Sequence, residues 1–412
     1  MPQEKQPLKP DIVSSIFIRR VKKRLSSLFI PKGAKTTLGQ TVSGKSISGL
    51  PIIKKRFPFG LDIGTNSIKA IQLACDQGGE IKIINLAIEE LPKEAQGHNP
   101  EARRRILPEI LKKLVNEKGL KGDCFAIAPY PSFKVNLIRL PQMPASEIDK
   151  ALRWEIRQTV QADLNEISLD YIVLEGQKAK FLGNQIGVLA VYAPKKDVFQ
   201  HLALLESAGF NPLAIDIEPL ADLAVLNYTK KSAPDEVMLF LDFGAGKTSL
   251  SIICDNELIS TRSLNITGNS LTKAVSDYCN ISWEEAELLK KNFGLTASSA
   301  EQTIAGSSDK AIQVRNTILP LLENMVQDIE HTFKYFSYQV TQSQITRFEK
   351  VILSGGSSRL LGLLLFLRNR LNVDVQIVDS LANFGSLEPS FKGDDLSCRL
   401  NVALGLALRG VD

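Results

Sequence analysis

Two stretches of the chain share one pattern of apolar and polar positions. Residues 59–73 read FGLDIGTNSIKAIQL: an apolar run, a small polar turn with glycine, and a second apolar run. Residues 239–255 read LFLDFGAGKTSLSIICD, which aligns Asp242 and Gly244 with Asp62 and Gly64, about 180 positions earlier. Apolar runs on both sides of a polar turn predict two strands joined as a hairpin. Their recurrence indicates an internal duplication.

Elsewhere the pattern predicts strands that lead directly into helices. Residues 215–228 read as a strand and then a helix opened by Glu218 and Pro219, because proline suits the first helical turn. Residues 351–363 read as a buried strand, a Gly-Gly turn and an apolar helix. This alternation predicts an α/β fold. A further helix within residues 140–160 has a one-sided apolar stripe formed by Ile148, Leu152, Ile156 and Val160.

The two glycine-containing turns have the composition of an anion site. Glycine lets backbone N–H groups approach a phosphate closely, and Thr65, Ser67 and Thr248 add hydroxyl donors. Asp62 and Asp242 would repel a phosphate unless Mg²⁺ lies between them, because that ion takes oxygen ligands and keeps several waters. Two ordinary hairpins, with Asp and Gly as turn residues, are the alternative interpretation.

Three further features bear on that choice. Lys69, in the first hairpin, could neutralise phosphate charge directly. Glu218 at a helix start could orient a water molecule, or could simply compensate the helix terminus. Gly355 and Gly356, at a strand-to-helix turn, would give a flat surface for a nucleotide ring or ribose. Together with the paired hairpins, these features favour a nucleotide site.

Composition predicts a globular protein with more than one domain. The chain has 412 residues, of which 44% are hydrophobic and 23% charged. No stretch is apolar over the length that a membrane-spanning helix needs. The five cysteines are scattered and show no CxxC spacing, which predicts a reducing compartment and no cysteine metal site.

Charge divides the chain into a basic tail and a mildly acidic body. Residues 1–56 carry a net charge of +11 and the remaining residues carry −6. The Ser, Thr, Gly and Pro content of the tail predicts that much of it is disordered. Within it, residues 11–30 predict a basic amphipathic helix that could lie on anionic lipid or bind a partner. Nucleic-acid binding and a transit peptide are the alternatives for this segment.

The order of these motifs resembles the actin-like ATPase superfamily. The resemblance implies a duplicated, ribonuclease H-like α/β fold that binds ATP and Mg²⁺ between two lobes. It implies that Asp62 and Asp242 hold Mg²⁺ through water and that Glu218 positions the attacking water. The residues that it places at the nucleotide are Gly64, Thr65, Asn66, Ser67, Lys69, Gly244, Gly246, Lys247, Thr248, Glu287, Lys290, Gly355, Gly356 and Ser357.

Within that superfamily, residues 57–412 resemble the PilM proteins of type IV pilus assembly. The opening DIGTNSIKAIQL is close to their signature. Residues 140–160 resemble the start of an inserted strand-helix-strand subdomain shared with the cell-division protein FtsA, and strands are expected at 168–176 and 185–193. The implied division is a basic tail 1–56, a first lobe 57–129 and 194–234, an inserted subdomain 130–193, and a second lobe 235–412 with a small subdomain at about 268–315.

The resemblance implies a cytoplasmic ATP-binding scaffold, peripheral to the inner membrane, with at most slow ATP hydrolysis. Its expected partner is the cytoplasmic N-terminal peptide of a PilN-like membrane protein. Pilus assembly ATPases, self-association and a membrane contact through residues 11–30 are further expectations, and nucleic acid is not expected. An FtsA-like protein, a secretion-platform protein and a small-molecule kinase are the alternatives. The ending LGLALRGVD, without the C-terminal membrane helix of FtsA, argues against a division role.

Overall fold

The computed structural model describes most of the chain that follows the N-terminal tail. The predicted helix over residues 11–30, and all of the tail before residue 53, lie outside the described residues. The described residues are 53–96, 100–129, 132–160, 163–174, 184–229, 236–296, 307–342, 344–384 and 396–411.

Strands and helices alternate along the described residues, as the sequence pattern predicted. The strands are β1 (Ile53–Arg56), β2 (Phe59–Ile63), β3 (Ser67–Asp76), β4 (Ile81–Glu90), β5 (Gly122–Ile127), β6 (Lys134–Pro141), β7 (Ile167–Val173), β8 (Gln185–Pro194), β9 (Phe210–Asp216), β10 (Val237–Phe243), β11 (Thr248–Cys254), β12 (Glu257–Leu264), β13 (Lys350–Ser354) and β14 (Asp374–Ile377). The helices are α1 (Pro100–Glu117), α2 (Ala145–Thr159), α3 (Lys195–Ser207), α4 (Glu218–Thr229), α5 (Gly268–Cys279), α6 (Trp283–Phe293), α7 (Ser307–Tyr335), α8 (Leu363–Leu371) and α9 (Leu396–Arg409).

The two main sheets have the same strand topology. In the first, β2, β3 and β4 form an antiparallel meander, and β5 and β9 continue the sheet parallel to β2. In the second, β10, β11 and β12 form the meander, and β13 and β14 continue it parallel to β10. Strand β1 adds to the first sheet by pairing with the end of β3. The shared order shows the duplication that the paired hairpins indicated.

A continuous hydrophobic core joins the two sheets. It contains Leu73 and Ile215 from the first sheet and Leu239 and Leu250 from the second, all of them buried. Strands β10 and β11 are buried at nearly every position, although β11 carries the polar residues Thr248, Ser249 and Ser251. The hairpin turns at the ends of β2 and β10 are therefore supported on a rigid base.

The inserted subdomain is a small sheet with one helix packed on it. The sheet has the order β6-β8-β7, all antiparallel, and β7 and β8 are the two strands expected after the helix. On α2, Ile148, Leu152 and Ile156 are buried, as their spacing predicted. Strand β6 also packs against β12, so the subdomain contacts the second lobe as well as the first, from which it emerges.

Helix α9 lies against the first sheet, although the sequence assigned residues 235–412 to the second lobe. It packs on β2, β3 and α4. The contact is close because glycine occurs on both sides: a Cβ on Gly60 would overlap the Ala403 carbonyl oxygen, and one on Gly405 would overlap that of Ala221. Sequence order alone does not predict that α9 returns to the first sheet, because this return depends on packing between residues far apart in the chain.

None of the helices in the described part of the chain is long and apolar enough to cross a bilayer.

Candidate functional site

The β2–β3 and β10–β11 turns have matching local geometry and face each other. The Gly64 N–H donates to the Ser67 carbonyl at 3.1 Å, and the Gly244 N–H donates to the Lys247 carbonyl at 2.9 Å. A Cβ on Gly246 would overlap the side chain of Thr65, so the two turns are in direct contact. The predicted pairing of the two turns is thus realised in space.

An aspartate is the penultimate residue of the strand before each turn. Asp62 forms an ion pair with Lys69 at 2.9 Å, yet burial raises the pKa of Asp62 against the lowering effect of that lysine. Burial, with the nearby charge of Glu218, raises the pKa of Asp242 to about 7. Three carboxyl groups, Asp62, Asp242 and Glu218, thus face the ammonium groups of Lys69 and Lys247. A bound cation would relieve this crowding of negative charge.

Glu218 begins helix α4, as the sequence predicted, but its carboxylate already has a partner. It forms an ion pair with Lys247 of the second turn. The Lys247 ammonium also lies 4.7 Å from the ring centre of Phe133, just before β6. Glu218 is therefore not a free carboxylate in this arrangement, which the sequence did not indicate.

The Gly-Gly turn after β13 approaches the second hairpin from one side. Gly355 has a φ of +81°, and a Cβ there would overlap a carboxylate oxygen of Asp242. Only glycine fits, because the conformation is left-handed and the space is filled. The Ser357 hydroxyl donates to the Gly244 carbonyl at 3.3 Å, which links this turn to the β10–β11 turn.

Glu287 and Lys290 lie one helical turn apart on α6 and form an ion pair at 2.6 Å. The Lys290 ammonium also donates to the Thr272 hydroxyl at 2.8 Å and to the Gly268 carbonyl at 3.1 Å. Burial lowers the pKa of Lys290, and the Glu287 carboxylate partly offsets that effect. The pair thus forms a fixed polar wall on the small-subdomain side.

These elements enclose a cavity of about 590 Å³ between the lobes. Gly246 and Thr248 do not line it, because Gly246 packs on Thr65 and the buried Thr248 hydroxyl donates to the Ile266 carbonyl at 2.6 Å. The predicted site residues that line the cavity are Asp62, Gly64, Thr65, Asn66, Ser67, Lys69, Glu218, Asp242, Gly244, Lys247, Glu287, Lys290, Gly355, Gly356 and Ser357.

Arg103 of α1 supports the first turn, a role that sequence reasoning missed. Its guanidinium donates to the carbonyls of Gly64 at 2.9 Å, Thr65 at 3.0 Å and Ala95 at 3.0 Å. These bonds tie α1 to the carbonyl groups of the first turn and of the segment after β4. An arginine 38 residues from its target has no local spacing signal that could have identified it.

Two more buried polar groups lie near the site. Asp222 of α4 accepts a hydrogen bond from Asn401 of α9 at 2.7 Å, and both are fully buried. Burial raises the pKa of Asp222 well above its usual range, and the charge of Asp242 adds to that effect. His201 lines the first-lobe wall of the cavity, and burial lowers its pKa to about 4. His201 is therefore neutral at physiological pH.

Two sheets of one topology, each with an acidic glycine turn at a shared cleft, define the actin-like ATPase fold. The chain belongs to the family of the type IV pilus assembly protein PilM, whose family model matches residues 60–411. Both the superfamily and the family predicted from the motifs are thus confirmed.

The chain is also similar to individual solved and curated proteins. The chain is similar to the PilM-PilN type IV pilus biogenesis complex, with a TM-score of 0.70 and 27% identity over 86% of this chain and 98% of that one. It is 26% identical over 350 residues to the cell division protein FtsA of Bacillus subtilis, covering 77% of each chain. It is 23% identical over 340 residues to FtsA of Streptococcus pneumoniae, covering 75% of this chain and 72% of that one.

Proposed function

We propose that this member of the PilM family binds Mg-ATP between its lobes and serves as a scaffold of the pilus assembly platform at the inner membrane. The observation that carries the proposal is the pair of facing acidic turns at the mouth of a cavity of about 590 Å³. Such a volume suits a ligand of nucleotide size.

The residues of the cleft match the parts of Mg-ATP. The backbone N–H groups of the two turns and the ammonium groups of Lys69 and Lys247 provide positive potential for phosphates. A hydrated Mg²⁺ between Asp62 and Asp242 would neutralise the carboxylates whose pKa values burial raises. The turn at Gly355 leaves a flat surface for the adenosine, opposite the polar wall of α6.

Any ATP hydrolysis by this site is expected to be slow. Mg²⁺ supplies charge neutralisation at the phosphates when it is bound. Glu218, the residue expected to orient a water molecule, is held by Lys247 in an ion pair. A carboxylate that is already paired is a weak acceptor for the proton of an attacking water, so Glu218 can serve in turnover only after Lys247 has moved away from it, an added step that slows hydrolysis relative to binding.

The partner that we propose is the cytoplasmic N-terminal peptide of a PilN-like membrane protein. The supporting observation is the likeness to a PilM-PilN complex over 86% of this chain, at 27% identity. Binding of this kind would hold the protein at the cytoplasmic face of the inner membrane. Pilus assembly ATPases, self-association and a lipid contact of residues 11–30 are further proposed interactions, and no observation assigns them residues.

Calorimetric titration of the full chain with ATP, with and without Mg²⁺, tests the nucleotide site. We expect Mg-dependent binding that Asp242→Asn weakens about tenfold or more, because one of the two Mg-facing carboxylates is lost. Asp149→Asn, at an exposed ion pair on α2, is the matched control and should bind as the wild type does. No binding at millimolar nucleotide, or equal binding by both variants, would contradict the proposal.

The same samples test the scaffold role. A synthetic peptide from the N-terminus of the PilN-like protein should bind with and without nucleotide, while phosphate release stays far below one turnover per second. Rapid phosphate release, or ATP consumption that starts only when a sugar or carboxylic acid is added, would show an enzyme instead.

A further inference from the structure

Lys247 connects three parts of the molecule that are far apart in sequence. It belongs to the second phosphate turn and lines the cavity. Its ammonium forms an ion pair with Glu218 at the start of α4 in the first lobe. The same ammonium lies 4.7 Å from the ring centre of Phe133, the residue that leads into β6 of the inserted subdomain.

The position of Lys247 makes its contacts sensitive to the contents of the cleft. Its side chain is only 10% exposed, so water screens its contacts weakly. Glu218 offers it one negative charge, whereas a Mg-bound triphosphate brings a net charge of about −2 on several oxygens. An anion at the turn therefore competes directly with both Glu218 and the Phe133 ring for one ammonium group.

Strand β6 is well placed to respond to the loss of that contact. It is paired on one side with β8 and packs against β12 of the second lobe. Near its other end, Arg139 donates to the carbonyl of Val340 in the turn that ends α7. The strand is thus attached to the second lobe near both ends, through Lys247 at Phe133 and through α7 at Arg139.

We propose that Lys247 transmits the occupancy of the phosphate site to the inserted subdomain. An entering polyphosphate draws the ammonium away from Phe133 and Glu218 together, which loosens the start of β6 and releases the carboxylate that faces the cleft. This inference rests on the proposed nucleotide function and adds to it the route by which a nucleotide alters the inserted subdomain.

Amide hydrogen exchange on the full chain measures the response directly. Loss of a cation–π contact should speed exchange at the first residues of β6 about two- to fivefold when Mg-ATP is added. The exchange of β7, which pairs with β8 and is separated by it from β6, serves as the internal reference.

Two substitutions at Phe133 separate the contact from general packing. Phe133→Leu keeps an apolar side chain but removes the aromatic face, so β6 should exchange fast with or without Mg-ATP. Phe133→Tyr keeps the aromatic face and should retain the wild-type response. Both variants should bind Mg-ATP within about threefold of the wild type in the calorimeter, because Phe133 lies outside the nucleotide-lining residues.

The outcomes distinguish this inference from the proposed function. Binding of Mg-ATP without a change at β6 in the wild type, or an equal change in Phe133→Leu, overturns the inference and leaves nucleotide binding intact. Absence of binding in the wild type overturns the nucleotide site and the inference together. A response lost in Phe133→Leu and kept in Phe133→Tyr supports it.

Discussion

At the scale of single residues, the main feature of the cleft is a set of buried carboxyl groups whose ionised form is unfavourable. The pKa of Asp242 is raised to about 7 from an ordinary 3.8, because it is buried and lies near Glu218 and Asp62. Asp222 of α4 is fully buried, and its pKa is likewise raised. Such groups reduce folding stability at neutral pH and create a strong local preference for a cation.

This preference predicts a pH-dependent effect of Asp242→Asn. Because the folded-state pKa is raised, the stability associated with Asp242 is fully present below about pH 4 and is lost as the pH rises through 7. The nucleotide-free variant should therefore unfold with a free energy about 2 kcal/mol higher than the wild type near pH 8, with little difference near pH 4. The opening of the cleft to water keeps this figure below the full value of the shift.

Urea unfolding of nucleotide-free protein at several pH values checks this. Asp149→Asn, which changes an exposed carboxylate on α2, should follow the wild type throughout. A stability difference between Asp242→Asn and wild type that does not vary with pH would show that the Asp242 carboxyl is ionised equally in the folded and unfolded states.

At the scale of elements, the contact of α9 with α4 joins the end of the described chain to the first lobe. Gly405→Ala should lower the free energy of unfolding by about 2 kcal/mol or more, because the added Cβ overlaps the Ala221 carbonyl. Alanine gains about 1 kcal/mol in helix propensity, which is too little to offset that overlap. Gly78→Ala, in an exposed turn where the nearest atom is 3.3 Å from the added Cβ, is the control. Equal stability of the two variants would mean that α9 shifts at little cost.

The elements that the sequence predicted well are those with local signals. The hairpins at Asp62 and Asp242 and the apolar stripe on α2 were predicted because alternation and helical spacing are properties of a few consecutive residues. The Gly-Gly turn was predicted for the same reason, since a left-handed φ such as that of Gly355 selects glycine directly.

Contacts between distant elements had no such signal. The position of α9, the support of the first turn by Arg103 and the ion pair of Glu218 with Lys247 depend on which helix ends meet at the cleft. Thr248 illustrates the same point at a single residue. Its place in the second hairpin was predicted, but its hydroxyl donates to the Ile266 carbonyl and does not line the cavity. The direction in which a side chain points depends on its neighbours in space, which a single sequence does not identify.

At the scale of the whole molecule, polar contacts join the lobes across the cleft. Lys93, which follows β4, forms an ion pair with Glu284 of the small subdomain. Asn66 donates to Asn269 at 3.3 Å nearby. A ligand that enters or leaves the cleft by this side must separate these pairs, so they should slow both its entry and its departure.

Lys93→Met should therefore speed the release of Mg-ATP by about two- to threefold, as loss of one exposed ion pair implies. Stopped-flow displacement of a fluorescent ATP analogue measures that rate. Lys273→Met removes an ion pair that lies within α5, with Asp277 at 2.8 Å, and should leave release unchanged. Equal release rates in both variants would mean that the Lys93 pair does not hold the lobes together.

The return of α9 to the first sheet also affects how the protein is made. Synthesis runs from the N-terminus, so β2, β3 and β5 leave the ribosome long before residues 396–409 are translated. Until then, the apolar surface around Phe125 and Ile127 that Val402 and Leu406 later cover stays exposed. The lobe that is translated first therefore completes its packing last. Until α9 is made, the growing chain exposes an apolar surface to which a chaperone can bind.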